Sequence, residues 1–302
     1  MRFDEFLCCP LCKGDLVEGL GRLECPDCGI EYLVHEGIPL LVDPDMKSAH
    51  LEGQIAFFTR EASRRPPYTL DPWMRRYLER FKEAFPGFQA GLAVDCGTGS
   101  GYMAVELARM GFDVIAFDIT MQNLLDLKRQ ASEMGLSGEI NLVCCDAQEL
   151  PLRAGIADVM VSIFLLEHLP DERRAVAEIE RVSKEDARLM IGLPLKYGYL
   201  NPMLVPVNFL YDRYIGHLRR YDEESLCALL EGWELLATFF TGHFGKCLKT
   251  GINLVAKVFT DKRLSEDRIE LEDRKKQDIR YGASNVACMF ERRSKTREEL
   301  PD

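Results

Sequence analysis

The 302-residue sequence has no apolar run near the ~20 residues that a membrane-crossing helix needs, so a helical span is excluded. Its first residues, Met1-Arg2-Phe3-Asp4-Glu5, lack the basic-then-apolar pattern of a secretory leader. Positive charge is in short supply: 38 Lys and Arg stand against 49 Asp and Glu, a net charge of −11. That deficit disfavours nucleic acid held by non-specific charge. Cysteine is not scarce. Eleven are present, several in apolar strand-like runs, which points to a reducing compartment with metal-bound or buried thiols. A cytoplasmic location is therefore expected. At 47% hydrophobic and 29% charged, the composition is that of an ordinary globular chain, long enough for one large domain and a small one.

Another absence decides the ligand class. In Leu92-Ala93-Val94-Asp95-Cys96-Gly97-Thr98-Gly99-Ser100-Gly101 a short apolar run ends in an acid, and glycines follow at every second position. The run reads as a buried parallel strand, and Tyr102 to Met110 as the helix after it. A dinucleotide fingerprint would need its third glycine where Tyr102 stands. Asp95 would also repel a pyrophosphate. An acid there suits a ligand with a positive end, such as S-adenosylmethionine (SAM), which has an ammonium, a sulfonium and no phosphate.

The first 45 residues carry Cys9-Pro10-Leu11-Cys12 and Cys25-Pro26-Asp27-Cys28. Two such pairs, twelve residues apart, turn four thiolates toward one ion and predict a structural Zn²⁺ site with no open position. Cys8 is out of step with the pair, since Leu11 would stand at its ligand position; His35 could compete, but four cysteines suffice. The segment is acidic, with three bases (Arg2, Lys13, Arg22) against ten acids, which opposes a grip on RNA.

Residues 46–90 read as a linker followed by helices, one from Pro72 to Phe85. Arg60, Arg64, Arg65, Arg75, Arg76, Arg80 and Lys82 make this the most basic stretch, either a solvated face or a lid offering cations to an anionic substrate. From 91 onward strand and helix alternate, which implies parallel βαβ units. Strands are predicted over Asp113–Phe117, Glu139–Cys145, Ala157–Ile163, Ala187–Leu193, Trp233–Phe240 and Asn285–Glu291. Helices are predicted over Met121–Glu133, Asp171–Ser183 and Asp222–Leu230. Residues 194–220 and 241–284 interrupt the pattern. In the second interruption Thr250–Thr260 reads as an apolar helix, and Asp261–Tyr281, with seven acids and seven bases, as a solvated one.

Together these motifs resemble known families. Val94 to Gly101, Asp118, Asp146-Ala147-Gln148-Glu149-Leu150-Pro151 and Ala157 through Glu167-His168-Leu169 are similar, in order, to the motifs of class I SAM-dependent methyltransferases of the UbiE-like type. Residues through Gly37-Ile38-Pro39 resemble the zinc ribbon of the tRNA-methyltransferase activator subunit. The resemblance implies an α/β, Rossmann-like seven-stranded methyltransferase sheet with helices on both faces, plus a small N-terminal zinc ribbon. It divides the chain into a ribbon (1–45), a linker and helical cap (46–90) and a methyltransferase domain (91–302). It places SAM against Asp95, Gly97, Thr98, Gly99 and Gly101, the ribose at Asp118 and Ile119, the adenine at Asp146 and Ala147, and Ile163 beside them. One departure is Lys184-Glu185-Asp186-Ala187, where the family has Lys-Pro-Gly-Gly, and a changed turn is expected there.

The acceptor is the least determined part. No Asn-Pro-Pro-Tyr motif follows the fourth strand, which disfavours methylation of an amide or base nitrogen. The 194–220 stretch combines apolar residues, Met203 to Tyr211, with Lys196, Arg213, His217, Arg219 and Arg220. As a roof it would suit a small-molecule or lipid-like acceptor with an anionic or polar head. A contact with a membrane surface, or a plain cover for the core, stays open. His168 and His217 are the candidate bases, while His50 and His243 have nothing to recommend them. An RNA or protein methyltransferase that recognises its substrate through the ribbon is the alternative. Oligomeric state is undetermined. With the ribbon in a domain of its own, Cys25→Ser is expected to spare the cofactor site.

Overall fold

The structure, a computed structural model, describes residues 3–43, 48–65, 68–88, 90–136, 139–243 and 267–293. A short helix α1 (Phe3–Phe6) opens the chain, and four strands follow: β1 (Val17–Gly19), β2 (Arg22–Glu24), β3 (Glu31–His35) and β4 (Ile38–Leu41). Two helices, α2 (Ala49–Ala62) and α3 (Pro72–Ala84), lead to the alternating part. This runs β5 (Leu92–Cys96), α4 (Tyr102–Arg109), β6 (Asp113–Asp118), α5 (Met121–Glu133), β7 (Ile140–Cys145), β8 (Ala157–Ile163), α6 (Glu172–Val182) and β9 (Ser183–Pro194). The rest is α7 (Val205–Ile215), α8 (Glu223–Leu229), β10 (Trp233–Thr241), α9 (Asp267–Arg274) and β11 (Asn285–Arg292).

The strand order is β1-β2-β3-β4-β7-β6-β5-β8-β9-β11-β10. β7, β6, β5, β8 and β9 are parallel, and β11 and β10 close the far edge antiparallel. β5, β6 and β8 are almost wholly buried, because Val, Ile and Ala runs are covered by helices on both faces. The order reverses between β5 and β8, so their carboxyl ends open a crevice there.

The expected seven-stranded sheet is present, but it does not stop at seven. β4 pairs in parallel with β7, Leu40 beside Cys144 and Leu41 beside Cys145, so the ribbon continues the sheet. The ribbon's entry is stitched down as well: Leu7 bridges Leu152, the Cys8 amide donates to Pro151 O, and Lys13 pairs with Glu178 at 2.8 Å. Phe6, Leu7, Leu23, Tyr32 and Leu41 share one core with Val94, Val143 and Leu150. The ribbon is thus joined to the sheet by backbone pairing and by a shared core.

Other expectations change too. Lys184 to Ala187 form no turn. They are a bulge in β9, since Ala157 pairs with Ser183 but Val159 with Arg188. Arg76 does not lie on a solvated face: it is buried against Asp273 at 2.9 Å and crosses to the Phe240 carbonyl. Asp273 also accepts from the amides of Gly242 and His243 and from His243 Nδ1, so α9 is anchored rather than solvated. His243, set aside in the sequence, is a buried member of that cluster. The expected apolar helix at 250–260 lies outside the described residues.

Candidate cofactor and acceptor cavity

At the crevice lies a cavity of about 510 Å³. Its floor is the glycine turn after β5. Gly97, Gly99 and Gly101 all take left-handed φ, at 68°, 54° and 78°. A Cβ on Gly97 would stand 2.9 Å from Leu165, and one on Gly101 2.5 Å from Leu127. On Gly99 it would meet only the Gly97 carbonyl, at 3.8 Å, so this part of the turn lies open. Gly97, Thr98 and Gly99 line the cavity; Gly101 does not, and instead caps α4.

Asp95 is also absent from the lining. Its carboxylate is buried beneath the turn, where Oδ2 accepts from the Thr98 hydroxyl at 2.6 Å and the Ala104 amide at 3.2 Å. Burial pushes the group up to about 6 against those hydrogen bonds. Asp95 therefore braces the turn and adds charge beneath it. Asp118, at the end of β6, does line the cavity. It accepts from Gly99 N at 2.9 Å, Thr120 N at 2.8 Å and Asn123 Nδ2 at 3.2 Å. Burial raises its pKa too. A carboxylate has about four acceptor positions, so one remains for a ligand hydroxyl. Ile119, Asp146, Ala147 and Ile163 complete that wall, with Asp146 held by the amide and side chain of Gln148.

The opposite wall was missed in the sequence. It comes from α2 and the segments beside it: Ser48, His50, Leu51, Gln54 and Phe58, with Trp73 of α3. Ser48 caps α2, its hydroxyl accepting from the Leu51 amide. Leu51, Ile55, Phe58 and Ala62 recur at helical spacing, a signal that could have revealed this helix. Past its end, Arg65 donates to the Gly99 carbonyl at 2.9 Å and to Asn123, tying the helix to the glycine turn. Phe164 closes the inner end with a φ of 58°, a left-handed strain of about 1–2 kcal/mol for a non-glycine residue. Its amide bond to Gly192 O and its rings' neighbours, Trp73 and Tyr77, hold it there.

No residue of 194–220 lines the cavity, which corrects the roof. Its cations are engaged elsewhere: Lys196 with Asp222, Arg219 with Glu172, and Arg220 with Asp212. Met203, Phe209, Leu210 and Tyr214 point outward. Of the candidate bases, His168 lines the cavity, its ring edge-on to Phe58. His217 stands behind it, ring centroids 4.8 Å apart. His50, discounted in the sequence, lines the cavity and donates from Nε2 to the His168 carbonyl at 2.8 Å. Among the described lining residues the one Arg or Lys is Arg174, which is paired with Glu149.

On the ribbon, Cys9, Cys12, Cys25 and Cys28 converge, with sulfurs 3.7 Å (Cys9 to Cys28) and 3.4 Å (Cys12 to Cys25) apart. A tetrahedral tetrathiolate ion needs about 3.8 Å. The knuckles are closed by amides, Lys13 to Cys9 O and Gly29 to Cys25 O. The donor set fits a zinc ion, and Cys8 stays outside it.

Comparison with known proteins agrees with both parts. Residues 94–191 match the methyltransferase domain family, and residues 2–37 the Trm112p-like protein family. The ubiquinone/menaquinone biosynthesis C-methyltransferase UbiE of Vibrio parahaemolyticus is 26% identical over 174 residues, 56% of this chain and 65% of that protein. A probable SAM-dependent methyltransferase of Mycobacterium tuberculosis is 26% identical over 158 residues, 52% of this chain and 53% of its own length. The chain thus spans less than two thirds of these curated relatives. Among solved structures, the geranyl diphosphate C-methyltransferase of Streptomyces coelicolor aligns with a TM-score of 0.58 at 13% identity, covering 82% of this chain and all of that one. The [4+2]-cyclase SpnF aligns at 0.58 and 17% identity, covering 80% and 94%. These likenesses establish the fold alone.

Proposed function

We propose that this chain, a methyltransferase domain carrying a Trm112p-like zinc ribbon at its N-terminus, transfers a methyl group from SAM to a small, apolar, uncharged acceptor. The observation that carries the reading is one cavity with two unlike walls. Strand ends offer Asp118, Asp146 and close approach to the turn at Gly99; facing them, α2 and α3 offer Leu51, Phe58 and Trp73, joined by Phe164 and Leu165 after β8. The first wall suits a cationic nucleoside, with Asp118 on the ribose and Asp146 and Ala147 on the adenine. Asp95 lends negative charge from below, and Gly97, Thr98 and Ile119 shape the floor. When bound, the cofactor supplies a sulfonium-borne methyl group whose displacement depends chiefly on alignment. Four ribbon cysteines hold Zn²⁺ as a structural ion.

The second wall aligns the acceptor and excludes water. His168, His50 and Gln54 are its polar points, placed to orient a hydroxyl or carbonyl on an otherwise apolar body. His217 acts through His168 and not on the acceptor. Because no residue of 194–220 lines the cavity, and Lys196, Arg219 and Arg220 are paired elsewhere, an uncharged acceptor fits better than one with an anionic head group. The acidic ribbon, packed into the sheet edge, leaves no support for RNA recognition.

The test is a panel with methyl-labelled SAM: neutral phenols and quinols, isoprenoid diphosphates, phospholipids and bulk RNA. Label is expected in the neutral phenols or quinols. Label confined to diphosphates, phospholipids or RNA would overturn the acceptor class.

A further inference from the structure

Behind the cavity wall three side chains converge with no hydrogen bond among them. One ligating atom each of Glu167, His168 and His217 lies within 4.8 Å of the other two. Glu167 is fully buried, and neither of its carboxylate oxygens has a hydrogen-bond partner. His168 Nδ1 is buried and equally without one. His217 faces Glu167 with Nε2, 3.6 Å from Oε1, too far for a hydrogen bond.

The ring of His217 is oriented from its other side. Nδ1 stands 2.8 Å from Asp212 Oδ1. Asp212 takes Arg220 through both carboxylate oxygens and also the Tyr197 hydroxyl, so it is an anion and the imidazole donates to it. In the neutral ring Nε2 then carries a lone pair, turned toward the carboxylate. A carboxylate oxygen and two imidazole nitrogens meet in a dry place. A cation held by all three would satisfy the unpartnered Glu167 oxygen and His168 Nδ1 together.

We propose that Glu167, His168 and His217 bind a divalent first-row transition-metal ion, separate from the ribbon's ion. Two imidazoles and one carboxylate are a donor set for Zn²⁺, Fe²⁺ or Co²⁺, and too poor in oxygen for Mg²⁺ or Ca²⁺. Asp212 is the outer partner that orients one ligand, as carboxylates do behind metal-bound histidines. The ion joins the 3-10 turn after β8, Leu166–His168, to the segment that follows α7. It fixes the ring of His168, a cavity-lining residue, from the back. The site is independent of the acceptor's identity and of SAM binding.

Elemental analysis of the full-length, zinc-loaded protein, followed by titration with Co²⁺, tests this. Metal found plus Co²⁺ taken up should come to two ions per chain. The added Co²⁺ should show ligand-field bands without the thiolate charge transfer that marks a cysteine site. Glu167→Gln and His217→Gln should each lower the total to one and keep the ribbon's ion. A wild-type total of one, thiolate charge transfer on the added cobalt, or a total of two in a folded variant would overturn the proposal. If both variants fail to fold, the wild-type count and spectrum still decide.

Discussion

Asp95 is a charge that the fold carries against its own stability. Burial holds its carboxyl near 6 in the folded chain, above the ordinary 3.8. A raised acid stabilises the folded state only when protonated, so its ionisation weakens the fold as pH rises through 4 to 6. The shift corresponds to about 3 kcal/mol at neutral pH. Both donors to Asp95 reach Oδ2, so an asparagine oxygen can keep them. Asp95→Asn is therefore expected to raise unfolding free energy at pH 7 by ~1–3 kcal/mol while weakening SAM binding. Urea titration at pH 7 and pH 4.5 checks it; equal or lower stability at pH 7 would contradict the burial argument. This residue was legible in the sequence as an acid before a glycine turn. Its place beneath the turn was not, because strand register decides which way a strand-end side chain points. The histidines mark the same boundary. Sequence spacing put His168 near the site, but only packing places His217 behind it and His50 beside it.

Element by element, the alternating strands and helices were plain from their apolar periods, with most ends displaced by a residue or so and the start of β9 by four, where the polar Lys184-Glu185-Asp186 bulge hides the strand. The lid was not. Its helix, α2, is short on fully buried residues, Ala62 alone, because one face covers a cavity and the other faces water. Such a helix gives a weak apolar stripe and reads as linker from sequence alone. The 194–220 stretch is a cover for the core and not a pocket wall: Leu195, Leu200 and Leu204 are buried, while Met203, Phe209 and Leu210 face outward. If α2 is the acceptor wall, Phe58→Ala should raise the acceptor's KM by roughly tenfold, about 1–2 kcal/mol of lost aromatic contact, and leave cofactor affinity within twofold. Steady-state kinetics beside calorimetry separate the two. Equal losses in both would place Phe58 against the cofactor instead.

For the whole molecule, the ribbon is part of the sheet. The cysteine spacing revealed the four-cysteine cluster but could not reveal that β4 would pair with β7, since edge pairing leaves no periodic mark. The consequence is cooperative. Cys25→Ser, or chelation of the ribbon's ion, should lower the Tm of a single unfolding transition by roughly 5–10 °C, at ~2–4 °C per kcal/mol. It should also weaken cofactor binding, because Asp43, just past β4, lines the cavity. Scanning calorimetry showing a separate ribbon transition, with the main Tm unmoved, would restore an independent domain.

The central claim is that the crevice at the β5–β8 switch point holds SAM, and calorimetric titration with its demethylated product tests that most directly. One molecule should bind per chain, with Asp118→Ala weakening it by ~1–3 kcal/mol through loss of charge-assisted bonds to the ribose. Absence of binding, or affinity unchanged in both Asp118→Ala and Asp95→Ala, would contradict the account.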